Sequence, residues 1–299
     1  MGEAIYDVVI VGAGPAGIFA ALELSRSSRL KVLMIEKGRG IAGRVCPSKE
    51  RRVNCVRCDP CGVLCGWGGA GAFSDGKLTL STDVGGMLEN YVGKEELLRL
   101  ISQVDRVYLD YGAPEDVWGE EDEKVSELRD RAKLAELTLI PARIRHLGTG
   151  RTGHILEGMR KALEGRVDID LNTSAVRIST KDGAVEGVET GDGRFIQAKY
   201  VIVTPGREGA SWLAEQASAL GLRTAVNPVD IGVRVELMRQ LNPGVGPPQD
   251  DAAVARSTTR VGGSTTPTPH SRTTADATPH FRSVGQAAPN SSSALDPLM

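Results

Sequence analysis

A chain of 299 residues is long enough for one large core or two ordinary ones. Its 36 basic and 38 acidic side chains leave a net charge of −2, which gives no electrostatic reason to expect nucleic acid or an anionic membrane as partner. No apolar run approaches the roughly 18 residues of a membrane span, and the N-terminus reads as a strand rather than a signal peptide, so a cytoplasmic protein is expected.

Residues 5–36 read as a complete βαβ unit. Val8 to Val11 are a continuous aliphatic run suited to a strand buried on both faces of a parallel sheet. Gly12-Ala13-Gly14-Pro15-Ala16-Gly17 follows at once and opens an apolar helical run. In such a unit the first glycine makes the tight turn, the second admits a pyrophosphate, and the third lets helix and strand pack closely. The helix N-terminus supplies unpaired N–H groups and a positive dipole end. A second strand ends in Glu36, where an acid accepts hydrogen bonds from ribose hydroxyls and repels a 2′-phosphate. Dinucleotide binding is therefore expected at Gly12, Gly14, Pro15, Ala16, Gly17 and Glu36. The N-terminal position of the unit and the Glu36-Lys37-Gly38 that closes it resemble the FAD-binding unit of flavoprotein oxidoreductases, which adds Lys37 to the set.

The basic loop from Lys37 to Arg44 offers Arg39 and Arg44 as candidates to neutralise phosphate charge. All five cysteines then fall in one short stretch, Cys46, Cys55, Cys58, Cys61 and Cys65, interleaved with polar residues. Such clustering points to a local site in a reducing compartment rather than a distributed disulfide framework. Three readings stay open: an iron–sulfur cluster, a structural zinc, and a dithiol that relays electrons. A second glycine-rich loop follows directly, with Gly69, Ala70 and Gly71 between Trp67 and Phe73. Small residues at this density let backbone approach a flat ligand and form an anion-binding nest.

Residues 94–111 and 122–137 carry apolar residues at helical spacing and predict a helical insertion. Arg143, Arg145, His146 and Arg151 surround Gly148-Thr149-Gly150 ahead of a helix over 152–163, a group able to hold a carboxylate or phosphate. Strands are predicted over 167–171, 176–179, 185–190 and 195–203. The last three are joined by Asp182-Gly183 and Asp192-Gly193, strong hairpin signals. A short helix over 212–220 and a strand over 229–237 complete the pattern.

The segment Gly66-Trp-Gly-Gly-Ala-Gly-Ala-Phe-Ser-Asp-Gly-Lys-Leu78, the cysteines before it and the N-terminal unit resemble a family of uncharacterised FAD-dependent dehydrogenases. So do residues 139–149, 201–210 and 227–236, and the resemblance spans about residues 5–237. It implies a flavin-dependent oxidoreductase acting on a small-molecule substrate, with NAD(P)H or another electron carrier as partner. It also implies that backbone at Val176 meets the adenine and that Thr204-Pro205-Gly206 lies near the cofactor. It carries no substrate with it, and no catalytic acid, base or nucleophile. A non-catalytic dinucleotide-binding or electron-relay module, or an inactive fragment of a longer flavoenzyme, is the competing reading.

The expected fold class is thus α/β: a Rossmann-like FAD/NAD(P)-binding domain with a β-meander, built from residues 1–90 and 150–237, with a helical insertion or cap over 91–149. From Asn242 onward the chain contains no Lys, Glu or Ile, and Phe281 is its only aromatic residue. A segment of this kind cannot bury enough apolar surface to offset its ordering entropy, so residues 242–299 are expected to be disordered. Two explanations compete, a natural low-complexity tail and a truncation or frame shift after about residue 240; the second is favoured, because members of the resembled family continue with folded sequence there.

Overall fold

The computed structural model describes residues 5–74, 76–140, 142–148, 150–226 and 293–295. The first βαβ unit consists of β1 (Tyr6–Val11), α1 (Pro15–Ser27) and β2 (Val32–Glu36). The cysteine run contains only the short helix α2 (Pro47–Arg51). Next come β3 (Lys77–Thr79), α3 (Glu89–Val92), α4 (Lys94–Asp110), β4 (Val117–Trp118), α5 (Glu123–Leu134) and β5 (Ile144–His146). The crossover helix α6 (Arg151–Leu163) leads into β6 (Val167–Leu171), which is followed by β7 (Ala175–Lys181), β8 (Ala184–Thr190) and β9 (Phe195–Val203). Helix α7 (Ala210–Ala219) and β10 (Thr224–Val226) close this part of the chain.

The main sheet has the order β6-β2-β1-β9-β8-β7. β6, β2, β1 and β9 are parallel, while β7 and β8 join antiparallel as a meander. This is the Rossmann-like α/β fold that the strand pattern predicts. β1 shows why its sequence is aliphatic at every position. Val8 and Ile10 pack with Met34, Ile18, Leu22, Ile155, Met159 and Leu163 on one face. Val9 and Val11 pack with Leu33, Ile35, Val188, Ile196 and Ala198 on the other. Alternate residues of a strand face opposite sides, so a strand covered twice must be apolar throughout. The β7–β8 turn follows its sequence signal as well. Asp182 and Gly183 take φ of 53° and 80°, the paired left-handed conformation of a I′ hairpin turn.

Within residues 91–149 the two predicted helices are present as α4 and α5, and α4 lays Val107 and Tyr108 into the same core as β1. The Tyr108 ring stands 5.7 Å from Phe19 of α1. The stretch is not purely helical, however. β3, β5 and β4 form a separate three-stranded sheet in that order. Strands of two or three residues carry too few positions for a two-residue period to show. Gly119–Pro141 belongs to a second compact unit. Inside it the Asp122 side chain caps α5 by accepting from the Val125 amide at 2.8 Å.

The strand expected over 229–237 and most of the tail from 242 onward lie outside the described residues. One short piece of that tail is described: β11 (Ser293–Leu295) pairs antiparallel with β10, where composition predicts disorder. Pairing of this kind uses main-chain groups alone, which composition does not report. No helix among the described residues is long and apolar enough to cross a membrane.

The core makes a graded stability prediction. Met159 is 0% exposed between the sheet and α1, and Leu134 is 88% exposed. Met159→Ala should cost about 2–5 kcal/mol in urea unfolding, and Leu134→Ala less than about 0.5 kcal/mol. Equal costs would mean that α6 does not pack as described.

Candidate functional site

Three glycines after β1 do three different things. Gly12 sits at φ 104°, and a Cβ there would lie 2.3 Å from the Thr204 carbonyl oxygen. A Cβ on Gly17 would lie 2.0 Å from the Gly12 carbonyl oxygen. Both positions are glycine because the protein itself leaves no room. Gly14 is different. Its backbone is extended, at φ −74° and ψ 179°, and a Cβ would meet nothing within 4 Å. Neither conformation nor packing inside the chain requires a glycine there. Pro15 and Ala16 follow as exposed first-turn residues of α1. Pro at this position costs no hydrogen bond, because first-turn amides have no helical partner.

Glu36 ends β2 as a buried residue, 7% exposed. Its Oε2 accepts from the Ala13 amide at 2.9 Å, and its Oε1 from the amides of Gly38 and Gly66, each at 2.8 Å. Three of about four acceptor directions are thereby used, leaving one on Oε2. The carboxylate ties the first glycine loop to the second. The Gly68 amide also donates to the Ala13 carbonyl at 2.8 Å, and a Cβ on Gly69 would stand 3.1 Å from Gly14 Cα. Gly69, Ala70 and Gly71 form the start of a 3₁₀ turn, Gly69–Phe73, rather than an open loop. Trp67, fully buried, donates from its indole to the Leu156 carbonyl at 2.8 Å and fixes this loop to α6.

The end of β9 closes the same edge. Thr204 donates through its amide to the Val11 carbonyl at 2.8 Å, and its hydroxyl lies 3.0 Å from the Gly12 carbonyl oxygen. Pro205 and Gly206 continue the turn, with Gly206 at φ 64°. On the other side of β2, the Thr173 amide donates to the Glu36 carbonyl at 2.9 Å, which brings the start of β7 alongside. Val176 lies there, 51% exposed, beside a bulge in the β7–β8 ladder. Its carbonyl accepts from the Trp212 indole at 2.8 Å and the Gln216 amide at 3.3 Å. The structure thus gathers Gly12, Gly14, Gly17, Glu36, Gly69 and Thr204 at one edge of the sheet.

Several charged candidates have other tasks. Lys37 reaches Glu208 at 3.5 Å on the surface. Arg44 is buried and donates to the carbonyls of Gly62, Trp67 and Val63 at 3.0, 2.7 and 2.6 Å, with its guanidinium 4.7 Å from the Phe73 ring. Burial lowers its pKa, opposed by Glu36, Cys65 and Cys61. All three hydrogen bonds brace the turn that carries the second glycine loop, a role that spacing alone does not reveal. Arg145 departs from the proposed basic cluster. It is buried and held by Asp105 at 2.6 and 2.8 Å and by the carbonyls of Pro114 and Glu115. Its charge is spent on fastening β5 to α4, so it is not available to a substrate.

The cysteines are free thiols: Cys55 is exposed, Cys46, Cys58 and Cys61 are half-buried, and Cys65 is buried. Among the described residues no three His, Cys, Asp or Glu side chains converge on one metal position. As placed, Cys46, Cys55, Cys58, Cys61 and Cys65 do not fit an iron–sulfur or zinc cage, whose thiolates must meet at bonding distance. Burial pushes the Cys65 thiol up to about 11, with Lys37 opposing the shift.

Parts of the chain are similar to known proteins. The pyridine nucleotide-disulphide oxidoreductase family matches residues 6–56, the βαβ unit and the loop after it. An uncharacterized protein of Clostridium beijerinckii is 28% identical over 240 residues, which is 78% of this chain and 37% of that protein. Thioredoxin reductase of Listeria monocytogenes is 64% identical over 36 residues, 12% of this chain and 11% of the reductase. Among solved structures, a 3-ketosteroid-Δ4-(5α)-dehydrogenase from Rhodococcus jostii aligns at 17% identity and a TM-score of 0.47, covering 75% of this chain and 56% of the dehydrogenase. Glycine oxidase from Geobacillus kaustophilus aligns at 15% and 0.43, covering 76% and 61%. The chain therefore spans little more than a third of its Clostridium relative. The first βαβ unit is thus the part of the chain that is similar to pyridine nucleotide-disulphide oxidoreductases.

Two predictions test the site. Glu36→Gln presents an NH₂ group to amides that now share a carboxylate, so chemical unfolding should show a loss of roughly 1.5–3 kcal/mol for each charge-assisted bond broken. A neutral effect would mean that the carboxylate does not join the loops. In timed alkylation at pH 8, Cys55 should be modified early, while Cys65 lags an ordinary exposed thiol by roughly two orders of magnitude. Mass spectrometry of the digest reads the order directly, and early labelling of Cys65 contradicts its burial.

Proposed function

We propose that this chain binds FAD and forms the cofactor-binding part of a flavin-dependent dehydrogenase. One observation carries the reading: Gly14 has no reason within the protein to be glycine, while its neighbours Gly12 and Gly17 do. An empty approach to main chain at the N-terminus of α1, between two glycine-rich loops, suits a pyrophosphate. The first-turn amides of α1 hold its charge. Glu36 keeps one acceptor direction for a ribose hydroxyl, next to the Ala13 amide that it already binds. Gly69 to Gly71 offer main chain with little side-chain bulk beside Gly14, and Thr204 holds the first glycine turn shut from the other side. Lys37, Arg44 and the stretch from Thr204 to Gly206 belong to the frame around this space. Val176 lies three residues past the Thr173 contact with Glu36, within reach of the adenine end of such a ligand.

When bound, the flavin supplies hydride and electron transfer, and the protein supplies binding, orientation and electrostatics. The substrate is a small molecule, and NAD(P)H or another electron carrier exchanges electrons with the flavin. Free thiols throughout the cysteine run suit a reducing cytoplasm.

The test is Gly14→Val. Its side chain enters open space, so the melting temperature should stay within about 2 °C of the parent protein. FAD affinity, followed by quenching of flavin fluorescence, should fall at least about tenfold, equivalent to about 1.4 kcal/mol. Unchanged FAD binding in a normally folded Gly14→Val protein would refute the site.

A further inference from the structure

Among the described residues, one buried side-chain oxygen outside the frame around Gly14 has no hydrogen-bond partner. The Thr152 hydroxyl oxygen is shielded from solvent and makes no hydrogen bond, in a residue only 6% exposed. Leaving such a group unpaired costs about 1–3 kcal/mol, and an orphan of this kind in a native structure calls for an explanation.

Its surroundings supply one. Thr152 is the second residue of α6, a helix of 13 residues whose N-cap, Gly150, makes no side-chain cap. The first-turn amides of α6 therefore look to an acceptor from outside. No acidic side chain occupies that turn, and Arg151 and His154 stand exposed around it. Gly148 and Gly150 both take φ 85°, and a Cβ on either would meet open space. On the opposite side Gly76, at φ 67°, packs against this hydroxyl: a Cβ there would lie 2.7 Å from the Thr152 oxygen, 2.9 Å from Leu147 Cβ and 3.7 Å from the Gly148 amide nitrogen. The Thr152 hydroxyl and the Gly148 amide thus lie on the same side of that glycine. Position in the fold matters too. α6 leads into β6, which runs parallel to β2 and β1, so the N-terminus of α6 lies at the edge of the sheet where Gly14 lies. Two helix N-termini with glycine entrances share that edge.

We infer that the entrance of α6 binds an anionic oxygen group, a carboxylate or a phosphate, with the Thr152 hydroxyl and the first-turn amides as donors. The anion site needs no dinucleotide to exist. Its use for the acid group of a substrate rests on the oxidoreductase reading above.

The experiment uses the full chain and follows amide resonances while inorganic phosphate or acetate is added at constant ionic strength against chloride, with and without FAD. Saturable shifts are expected at Gly148, Gly150, Thr152 and Gly153, and none with chloride. Thr152→Val should weaken phosphate binding about tenfold, and Thr152→Ser should restore it. In anion-free buffer Thr152→Val should melt at the parent temperature or above, because it removes an unpaired buried hydroxyl. Arg151→Glu, an exposed change, should weaken the anion without unfolding the protein. If FAD abolishes the phosphate shifts, the anion is the dinucleotide's own phosphate; if they persist beside FAD, it belongs to a second ligand. Absence of saturable shifts, or full affinity in Thr152→Val, overturns the proposal, as does a loss of several degrees by Thr152→Val in anion-free buffer. FAD binding without anion shifts would remove this site alone, and anion shifts without FAD binding would remove the dinucleotide reading alone.

Discussion

The candidate site depends on one carboxylate. Glu36 stands at the carboxyl end of β2 and holds the amides of Ala13, Gly38 and Gly66 within 2.9 Å. Those amides belong to the turn after β1, the turn after β2 and the start of the second glycine loop. Each turn is rich in glycine and would cost considerable entropy to order by itself. A single buried charge shared among three N–H donors orders them together, and charge-assisted bonds are about twice as strong as neutral ones. The carboxylate is held chiefly by those three donors, and the buried Arg44 guanidinium also lies near enough to interact with it, which explains how a buried acid can stand here.

The other buried charges follow the same logic of internal satisfaction. Arg44 spends its donors on three carbonyls of the turn before the second glycine loop. Arg145 pairs in bidentate fashion with Asp105 and also takes two carbonyls. Both side chains are consumed in holding irregular backbone that neither helix nor sheet supports. Removal of one partner from such an arrangement leaves an uncompensated charge in low dielectric, so these bonds specify the loops more than they stabilise them.

How legible this was in the sequence depended on the range of the signal. The β1–α1–β2 unit and the meander could be read directly, because aliphatic runs, the glycine spacing and the Asp-Gly turns are local patterns. Gly12, Gly14 and Gly17 were identifiable as a set, yet only the structure separates the two that pack internally from the one that faces open space. Glu36 was expected to bind ribose through its position. Its hold on Gly66, thirty residues away, has no signature in spacing. The roles of Arg44 and Arg145 were hidden for the same reason: a guanidinium that binds main-chain carbonyls leaves no mark on the identity of the residues it binds. The small β3-β5-β4 sheet was missed because strands this short carry no period. The cysteine run shows the converse, since metal-like spacing in sequence does not bring the five side chains to a common point in this arrangement.

What remains at the open edge, once the charged side chains are accounted for, is mostly main chain. Gly14, the exposed start of α1, Gly69 to Gly71 and the glycine entrance of α6 present amides and small surfaces there. Fixed amide dipoles need no rotamer search before they bind an anion and no reorganisation afterwards, whereas a surface lysine loses both entropy and hydration. A frame that buries its formal charges and offers its backbone suits a ligand whose reactivity is its own. The protein then contributes position, a fixed positive field from helix ends and exclusion of bulk. On this argument the selectivity of the edge resides in which positions are kept as glycine. Gly14 is the clearest of them, because neither its extended backbone nor packing within the chain calls for glycine there.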